Sequence, residues 1–433
     1  MRDERVLITG CGGMLGNAVY PHFISRFRHV LATDRDISEP WLQALDVRDD
    51  RRLQEIFRDF RPDIVLHLAA ETDLEFCETH PDTAEDTNAL ATAAIARLCH
   101  IAGAILVYVS SAAIFDGRKN GFYTESDQPC PIMKYGRTKY DGEILATACC
   151  RQTFVVRSGW MMGGGRGKDK KFINKILQQV GMGSREIFAA DDLWGTPTYT
   201  HDFTVNLLAL IDTRRYGTYH MACEGAGNRH DVAREILRIC RRGDILLTPV
   251  ISDFFKEEYF ARRPRSEMMT NSNLRKLGCQ HMRHWSMALR EYIENSFADL
   301  IVDSDQTEYL HVGNEKRHKT RQQVNFAFTC TLQNGHEIKS CPGESLDISE
   351  GGLCLVTEHA LPLQSIVTVR MPVSEIWKQA AMVRWSECIG SRCLTGLKYL
   401  EPPLTFARQF ARSSGRQHET RPAAACQGIN RNY

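Results

Sequence analysis

The run Val6-Leu7-Ile8-Thr9-Gly10-Cys11-Gly12-Gly13-Met14-Leu15-Gly16 decides the fold class of this chain. Residues 6–9 read as a buried strand, and glycines at positions 10, 13 and 16 follow at once. Gly10 permits a tight turn, Gly13 lets the backbone approach a pyrophosphate, and Gly16 lets the next helix pack closely on the strand. A helix opening here offers unpaired N–H groups to phosphate. Asp34 closes the second strand 24 residues after Gly10, where a carboxylate accepts hydrogen bonds from ribose hydroxyls. Together these predict a dinucleotide site formed by Gly10, Gly13, Met14, Leu15, Gly16 and Asp34. Asp34 repels a 2′-phosphate and favours NAD, whereas Arg35 beside it accommodates that phosphate, so NADP stays open.

Outward from this turn, β-rich runs at 6–9, 29–33, 64–68, 105–110, 154–157 and 218–221 alternate with helical spacing at 83–99, 135–148 and 201–211. That alternation predicts right-handed βαβ units and a Rossmann-type, doubly wound parallel sheet. Pro21 conflicts with the first helix unless that helix begins late or kinks. Residues 224–297, with more loops and a closing helix at 286–297, are expected to build the substrate side of the cleft. We therefore expect a first domain over 1–297, a polar linker over 298–315, a small all-β domain over 316–412 and a disordered tail over 413–433. Strand-like runs at 324–332, 381–385 and 395–400, with Gln333-Asn334-Gly335 as a turn, mark the all-β part.

At 433 residues the chain is long enough for two cores, and 43% hydrophobic with 25% charged residues is globular composition. With 54 Lys and Arg against 53 Asp and Glu, bulk charge attracts neither nucleic acid nor a membrane surface. Residues 316–412 are locally basic, with 12 Lys and Arg against 8 Asp and Glu, which suits an anionic ligand. No run of about 18 apolar residues occurs, and residues 1–5 lead straight into a strand without a secretory signal. A cytoplasmic protein without membrane insertion is the expectation. None of the 15 cysteines forms a Cys-x-x-Cys pair, and Cys99, Cys223, Cys240 and Cys354 sit in apolar runs as small hydrophobes. His281, His284, His311, His318 and His336 share no ligand spacing, so no metal site is expected.

Tyr135-Gly136-Arg137-Thr138-Lys139 puts a phenol and an ammonium four apart on one helix face. Ser110-Ser111 ends the preceding strand, at the carboxyl edge where this architecture binds ligands. Reduction of a ketone by hydride needs a proton donor for the developing alkoxide, and a free phenol is too weak an acid at neutral pH. A nearby ammonium lowers the phenol pKa and a serine hydroxyl polarises the carbonyl. Tyr135, Lys139 and Ser111 are the candidate catalytic residues.

These features resemble the extended short-chain dehydrogenase/reductase superfamily and, within it, the dTDP-4-dehydrorhamnose reductase family of sugar-nucleotide reductases. Supporting strings are Asp46-Val47-Arg48-Asp49, Leu68-Ala69-Ala70-Glu71-Thr72, Asn88, Phe115-Asp116-Gly117, Tyr123-Thr124-Glu125, Arg157-Ser158-Gly159-Trp160, Gly195-Thr196-Pro197-Thr198-Tyr199 and Arg263-Pro264, in the family's order over about residues 5–297. The resemblance implies that Asp46, Val47, Ala69, Ala70, Asn88, Tyr135 and Lys139 contact the NAD or NADP cofactor. It also implies that Ser111, Trp160 and Arg263 contact a nucleotide-sugar substrate. Ser111-Ala112-Ala113 departs from the family's Thr-Asp-Tyr and puts the usual substrate contacts in question. The basic run Gly163-Gly164-Gly165-Arg166-Gly167-Lys168-Asp169-Lys170-Lys171 suits a nucleotide diphosphate, or is a solvated loop.

Near the C-terminal end, Arg317-His318-Lys319-Thr320-Arg321 precedes Asp347-Ile348-Ser349-Glu350-Gly351-Gly352 by about 26 residues. Two arginines with three residues between them fork onto phosphates and the O6/N7 edge of guanine. Asp347 and Ser349 supply short polar groups, and Gly352 allows close backbone approach. In this order, ahead of a small β domain, the strings resemble the PilZ family. The resemblance implies cyclic di-GMP bound by Arg317, Arg321, Asp347, Ser349 and Gly352. A reductase tuned by cyclic di-GMP is the leading reading. A non-catalytic sugar-nucleotide or second-messenger sensor for polysaccharide synthesis, and a nucleotide-sugar epimerase or dehydratase, stand as alternatives, and a homodimer is compatible with each.

Overall fold

The computed structural model describes residues 1–302 and, beyond them, Leu361 and seven strands lying between residues 322 and 399. The chain divides into two compact units, Met1–His311 and Val312–Tyr433.

The first unit is built on seven strands: β1 (Arg2–Thr9), β2 (Phe27–Asp34), β3 (Gln43–Ala44), β4 (Ile64–His67), β5 (Ile105–Ser111), β6 (Thr153–Ser158) and β7 (Gly217–Met221). They form one sheet in the order β7-β6-β5-β4-β1-β2-β3, and every pairing is parallel. The order reverses direction between β1 and β4, which makes the crevice beyond their carboxyl ends the natural ligand site. Alternation along β1 divides the core. Val6 and Ile8 pack on one face with Phe23 of α1 (Met14–Arg26) and Phe203 and Leu207 of the helix Thr200–Thr213. Leu7 packs on the other with Leu53 and Phe57 of α2 (Asp50–Phe60) and Ile95 and Cys99 of α3 (Ala91–Ala102). Both faces are thus covered, as a parallel sheet requires.

Two expectations are revised. α1 starts at Met14 and runs through Pro21 rather than beginning late. Pro21 is exposed while Phe23 is buried, so the carbonyl that loses its amide partner lies on the water side. The periodic stretch at 83–99 is three pieces: Pro81–Glu85, a π turn Asp86–Leu90, and α3.

Small elements close the cleft. Trp160–Met162 pairs with Pro197–Tyr199, and Trp194–Gly195 pairs with both Gly227–Asn228 and Ser266–Glu267. A closing helix spans Trp285–Ser296, one residue ahead of the expectation. Among the described residues no helix is long and apolar enough to cross a membrane.

In the second unit, Ala327–Asn334, Glu337–Ser349, Gly352–Thr357, Ile366–Arg370, Lys378–Ile389 and Arg392–Tyr399 pair antiparallel throughout. The pairings return on themselves through Glu337–Ser349 with Gly352–Thr357, so the sheet closes, a geometry that removes free edges. Val367, Ala381, Val383, Thr395 and Leu397 are buried.

Candidate active site

The glycine turn is held by its neighbours. Gly10 has φ +70°, and a Cβ there would stand 2.4 Å from the Ala69 backbone nitrogen, so the turn rests on the chain leaving β4. At Gly16 a Cβ would meet the Cys11 carbonyl oxygen at 2.1 Å, which is the close helix–strand approach. Gly13 caps α1 without any side-chain hydrogen bond, and a Cβ on it would touch only the Gly10 oxygen, at 3.5 Å. The first-turn amides of α1 are therefore open to a diphosphate, and these residues fit a dinucleotide cofactor. Asp34 accepts from the backbone amides of Gly12 at 2.8 Å and Asp36 at 3.1 Å, so its carboxylate shapes the turn. The Arg35 side chain is 62% exposed, with Asp36 at 3.5 Å.

Other sequence-predicted cofactor positions fall on α1, on the chain following β3 and β4, and on the π turn. Met14 and Leu15 open α1, and Val47 is buried. The Asp46 carboxylate is held below its ordinary range because Arg48 grips it with Nη2 at 2.6 Å. Asn88 lies in the π turn: its Oδ1 accepts from the Glu71 amide at 2.8 Å, and its Nδ2 donates to the Glu71 carbonyl and to Thr138 Oγ1. That locks the loop following Ala69 and Ala70, and π turns recur at functional sites for this kind of re-aiming.

α4 (Lys134–Cys149) carries Tyr135 and Lys139. Gly136 allows it to approach the turn after β5, where a Cβ would fall 2.1 Å from the Ala113 oxygen. The Ser111 hydroxyl acts on the Tyr135 phenol at short range, favouring its ionised form, and Ser111 Oγ accepts from the Ala113 amide at 3.2 Å. Burial pushes the Tyr135 phenol up to about 12, so it holds its proton at neutral pH. The lowering expected from Lys139 is not among the influences on this phenol, where burial is the largest and the Ser111 hydroxyl opposes it. Lys139 itself is driven down to about 7 by burial, opposed by Glu143, and its Nζ stands 4.2 Å from the centre of the Tyr108 ring. Glu143 is held by the buried Arg157 at 2.7 Å.

Ser111 and Tyr135 open into a cavity of about 1630 Å³ that Trp160 and Arg263 also line. Trp160 Nε1 donates to Glu267 at 2.7 Å. Arg263 donates to Glu75 at 2.8 Å and to the Ala261 carbonyl at 2.9 Å. Sequence reasoning did not single out Glu267, Arg229 or Glu143. The first two sit beside two-residue strands that leave no periodic signal, and Glu143 was readable only as one more i, i+4 partner of Lys139. The basic run is divided. Lys170 and Lys171 line the cavity. Lys168 reaches across to Ser38 at 2.7 Å and Glu39 at 3.4 Å, beyond Asp34, and Arg166 pairs with Asp299 at 2.6 Å.

In the second unit Gln322 pairs with Ile348 and Gln323 with Asp347, while Ser349 pairs with Gly352. The chain just after Arg321 therefore runs alongside the Asp347–Ser349 stretch. Arg317 and Arg321 lie outside the described residues.

Residues 4–297 match the family model described as RmlD substrate binding domain, and residues 315–414 match that of the PilZ domain. A dTDP-4-dehydrorhamnose reductase of Mycobacterium tuberculosis is 32% identical over 293 residues, covering 66% of this chain and 92% of that protein. The crystal structure of a dTDP-4-dehydrorhamnose reductase from Yersinia enterocolitica superposes with a TM-score of 0.62 at 33% identity, over 67% of this chain and 99% of the other. Another dTDP-4-dehydrorhamnose reductase, from Bacillus anthracis in complex with NADP, gives a TM-score of 0.62 at 28% identity, over 68% and 99%.

Proposed function

Because the chain belongs to the RmlD substrate-binding domain family through residues 4–297, we propose that it reduces the 4-keto group of a dTDP-linked sugar with NADH or NADPH and binds cyclic di-GMP through its C-terminal module. The reading divides the chain into a reductase domain over 1–297, a linker over 298–315, a cyclic di-GMP module over 316–412 and a tail over 413–433.

One observation carries it: Ser111 and Tyr135 line one cavity large enough to hold a nucleotide sugar, and Tyr135 stands one helical turn from a buried Lys139. The nicotinamide, when bound, supplies the hydride. Tyr135, protonated at neutral pH, gives its proton to the substrate oxygen as that oxygen becomes an alkoxide. Ser111 donates a second hydrogen bond to the same oxygen. Positive charge at Lys139 favours the phenolate left behind, and Glu143, held by Arg157, steadies that charge. Gly10, Gly13 and Gly16 keep the backbone low enough for the diphosphate, and Asp34, Asp46 and Asn88 are assigned to the cofactor. Trp160 and Arg263 are assigned to the sugar nucleotide. Arg317, Arg321, Asp347, Ser349 and Gly352 are assigned to cyclic di-GMP, supported by the PilZ match and by the pairing of Gln322–Gln323 with Asp347 and Ile348.

The test is the loss of NADH or NADPH absorbance when dTDP-4-dehydrorhamnose is added to the full chain. Tyr135→Phe is expected to cut turnover by about 10²- to 10⁴-fold while leaving cofactor affinity within about twofold. Failure of the unaltered protein to consume either cofactor would overturn the reductase reading.

A further inference from the structure

Arg229 is a cavity cation that the reduction itself leaves unused. It is the first residue of the helix Arg229–Ile239, and its backbone is fixed by a capping box. Asn228 Oδ1 accepts from the Asp231 amide at 2.7 Å, and the Asp231 carboxylate accepts from the Asn228 amide at 3.2 Å. The guanidinium lies over the Trp160 ring at 4.6 Å and over the Phe172 ring at 4.9 Å. All three residues line the same cavity as Ser111 and Tyr135. Among the described residues no protein hydrogen bond takes up the Arg229 donors.

Three neighbouring cations are engaged elsewhere, and the cavity's Lys170, Lys256, Arg262 and Arg265, among the described residues, lack the aromatic clamp that holds Arg229. Arg263 is on Glu75 and the Ala261 carbonyl, Lys175 is on Tyr259 and Glu258, and Lys171 is on the Thr72 carbonyl at 3.1 Å. Glu267 is the carboxylate that faces Arg229, and one of its oxygens already accepts from Trp160 Nε1 at 2.7 Å. A guanidinium drawn out of water needs its N–H groups satisfied, and aromatic faces hold the plane of an arginine without using those edges. What remains is a flat, pre-oriented fork of donors turned to a ligand cavity, the geometry that suits a doubly accepting anion. Glu267 acts electrostatically on both Arg229 and Tyr135. Trp160, hydrogen-bonded to Glu267 and lying under Arg229, lines the same cavity as Tyr135, so a sugar with its keto group at Tyr135 can present its anomeric substituent to Arg229.

We propose that Arg229 is a substrate-recognition residue that takes the diphosphate of the nucleotide sugar in its fork while Trp160 and Phe172 hold the guanidinium plane. This rests on the nucleotide-sugar reading above. The shared chemistry is an oxyanion, and a carboxylate on the sugar is the other source the test must separate.

Calorimetric titration of the full chain with dTDP, thymidine and dTDP-glucuronate, on the unaltered protein and on Arg229→Met and Arg229→Lys, decides it. Arg229→Met is expected to weaken dTDP about 10- to 100-fold, the size of lost charged hydrogen bonds, and to leave thymidine within about twofold. Arg229→Lys, which keeps charge but not the fork, should fall between. Unchanged cofactor affinity and melting temperature show that each variant is folded. Equal dTDP binding by the unaltered protein and Arg229→Met overturns the assignment. So does a loss confined to dTDP-glucuronate, which gives the fork to a sugar carboxylate. If the unaltered protein binds no dTDP at all, the nucleotide-sugar reading falls with it.

Discussion

Lys139 is under opposed demands, since the chemistry wants an ammonium while burial favours the neutral amine. Its folded pKa is about 7 against an ordinary 10.5. Between those values the unfolded chain binds more protons than the folded one, so stability rises with pH across that window, and below about pH 7 the folded state bears the full cost of a buried charge. Lys139→Met, which keeps the length and removes the charge, is expected to unfold at higher urea than the unaltered protein near pH 6. The advantage should shrink as pH climbs toward about 10. Urea midpoints across that range test this, and an advantage independent of pH would mean that burial of the ammonium is not its source. At this scale the sequence was informative only where chemistry follows a local period. Tyr135 and Lys139 declare themselves by helical spacing, and Ser111 by its place at a strand end. Arg229 and Glu267 come from separate short segments brought together by Trp194–Gly195, and no local pattern announces that meeting.

Elements were legible to the extent that apolar periodicity sets them. The interior strands were recognisable because both faces are buried. β1 begins at Arg2 rather than at Val6 because its charged opening is held by side-chain pairs, Arg2 with Glu4 at 2.5 Å and Arg2 with Asp212, which leave no apolar signature. The π turn at Asp86–Leu90 adds its extra residue without disturbing the hydrophobic spacing enough to be seen. Glycine spacing is the clearer guide, and it makes a contrast. Gly16→Ala puts a methyl 2.1 Å from the backbone oxygen of Cys11, which only a shift of the turn can relieve. Overpacking costs about 1–3 kcal/mol and exceeds the helix-propensity gain of about 1 kcal/mol, so a lower melting temperature and weaker cofactor binding are expected. Gly167→Ala meets nothing within 4 Å and should leave both within about 0.5 kcal/mol of the unaltered protein. Thermal melts with and without NADPH compare the two. Equal behaviour would show that the turn yields freely.

At the scale of the whole molecule, two compact units carry two proposed ligands, and regulation is a statement about free-energy coupling between them. If cyclic di-GMP changes the affinity of the reductase for its cofactor by some factor, the cofactor must change the affinity for cyclic di-GMP by the same factor. Proximity of domains in one chain does not supply that factor; a difference in binding between two states does. The regulatory reading therefore makes a prediction that needs no turnover. Titration of cyclic di-GMP into the full chain should give a dissociation constant that shifts by about 5- to 150-fold when NADPH is saturating, and the NADPH constant should shift by the same ratio in the reverse experiment. Arg317→Ala with Arg321→Ala should abolish both shifts and leave NADPH binding alone at its original strength. Equal constants with and without NADPH would leave the C-terminal module as a binder that does not address the reductase. In that case linkage also requires that cyclic di-GMP stabilise only the unit that binds it. A calorimetric scan would then show one transition moving with cyclic di-GMP and a different one moving with NADPH, whereas a coupled molecule moves both with either ligand.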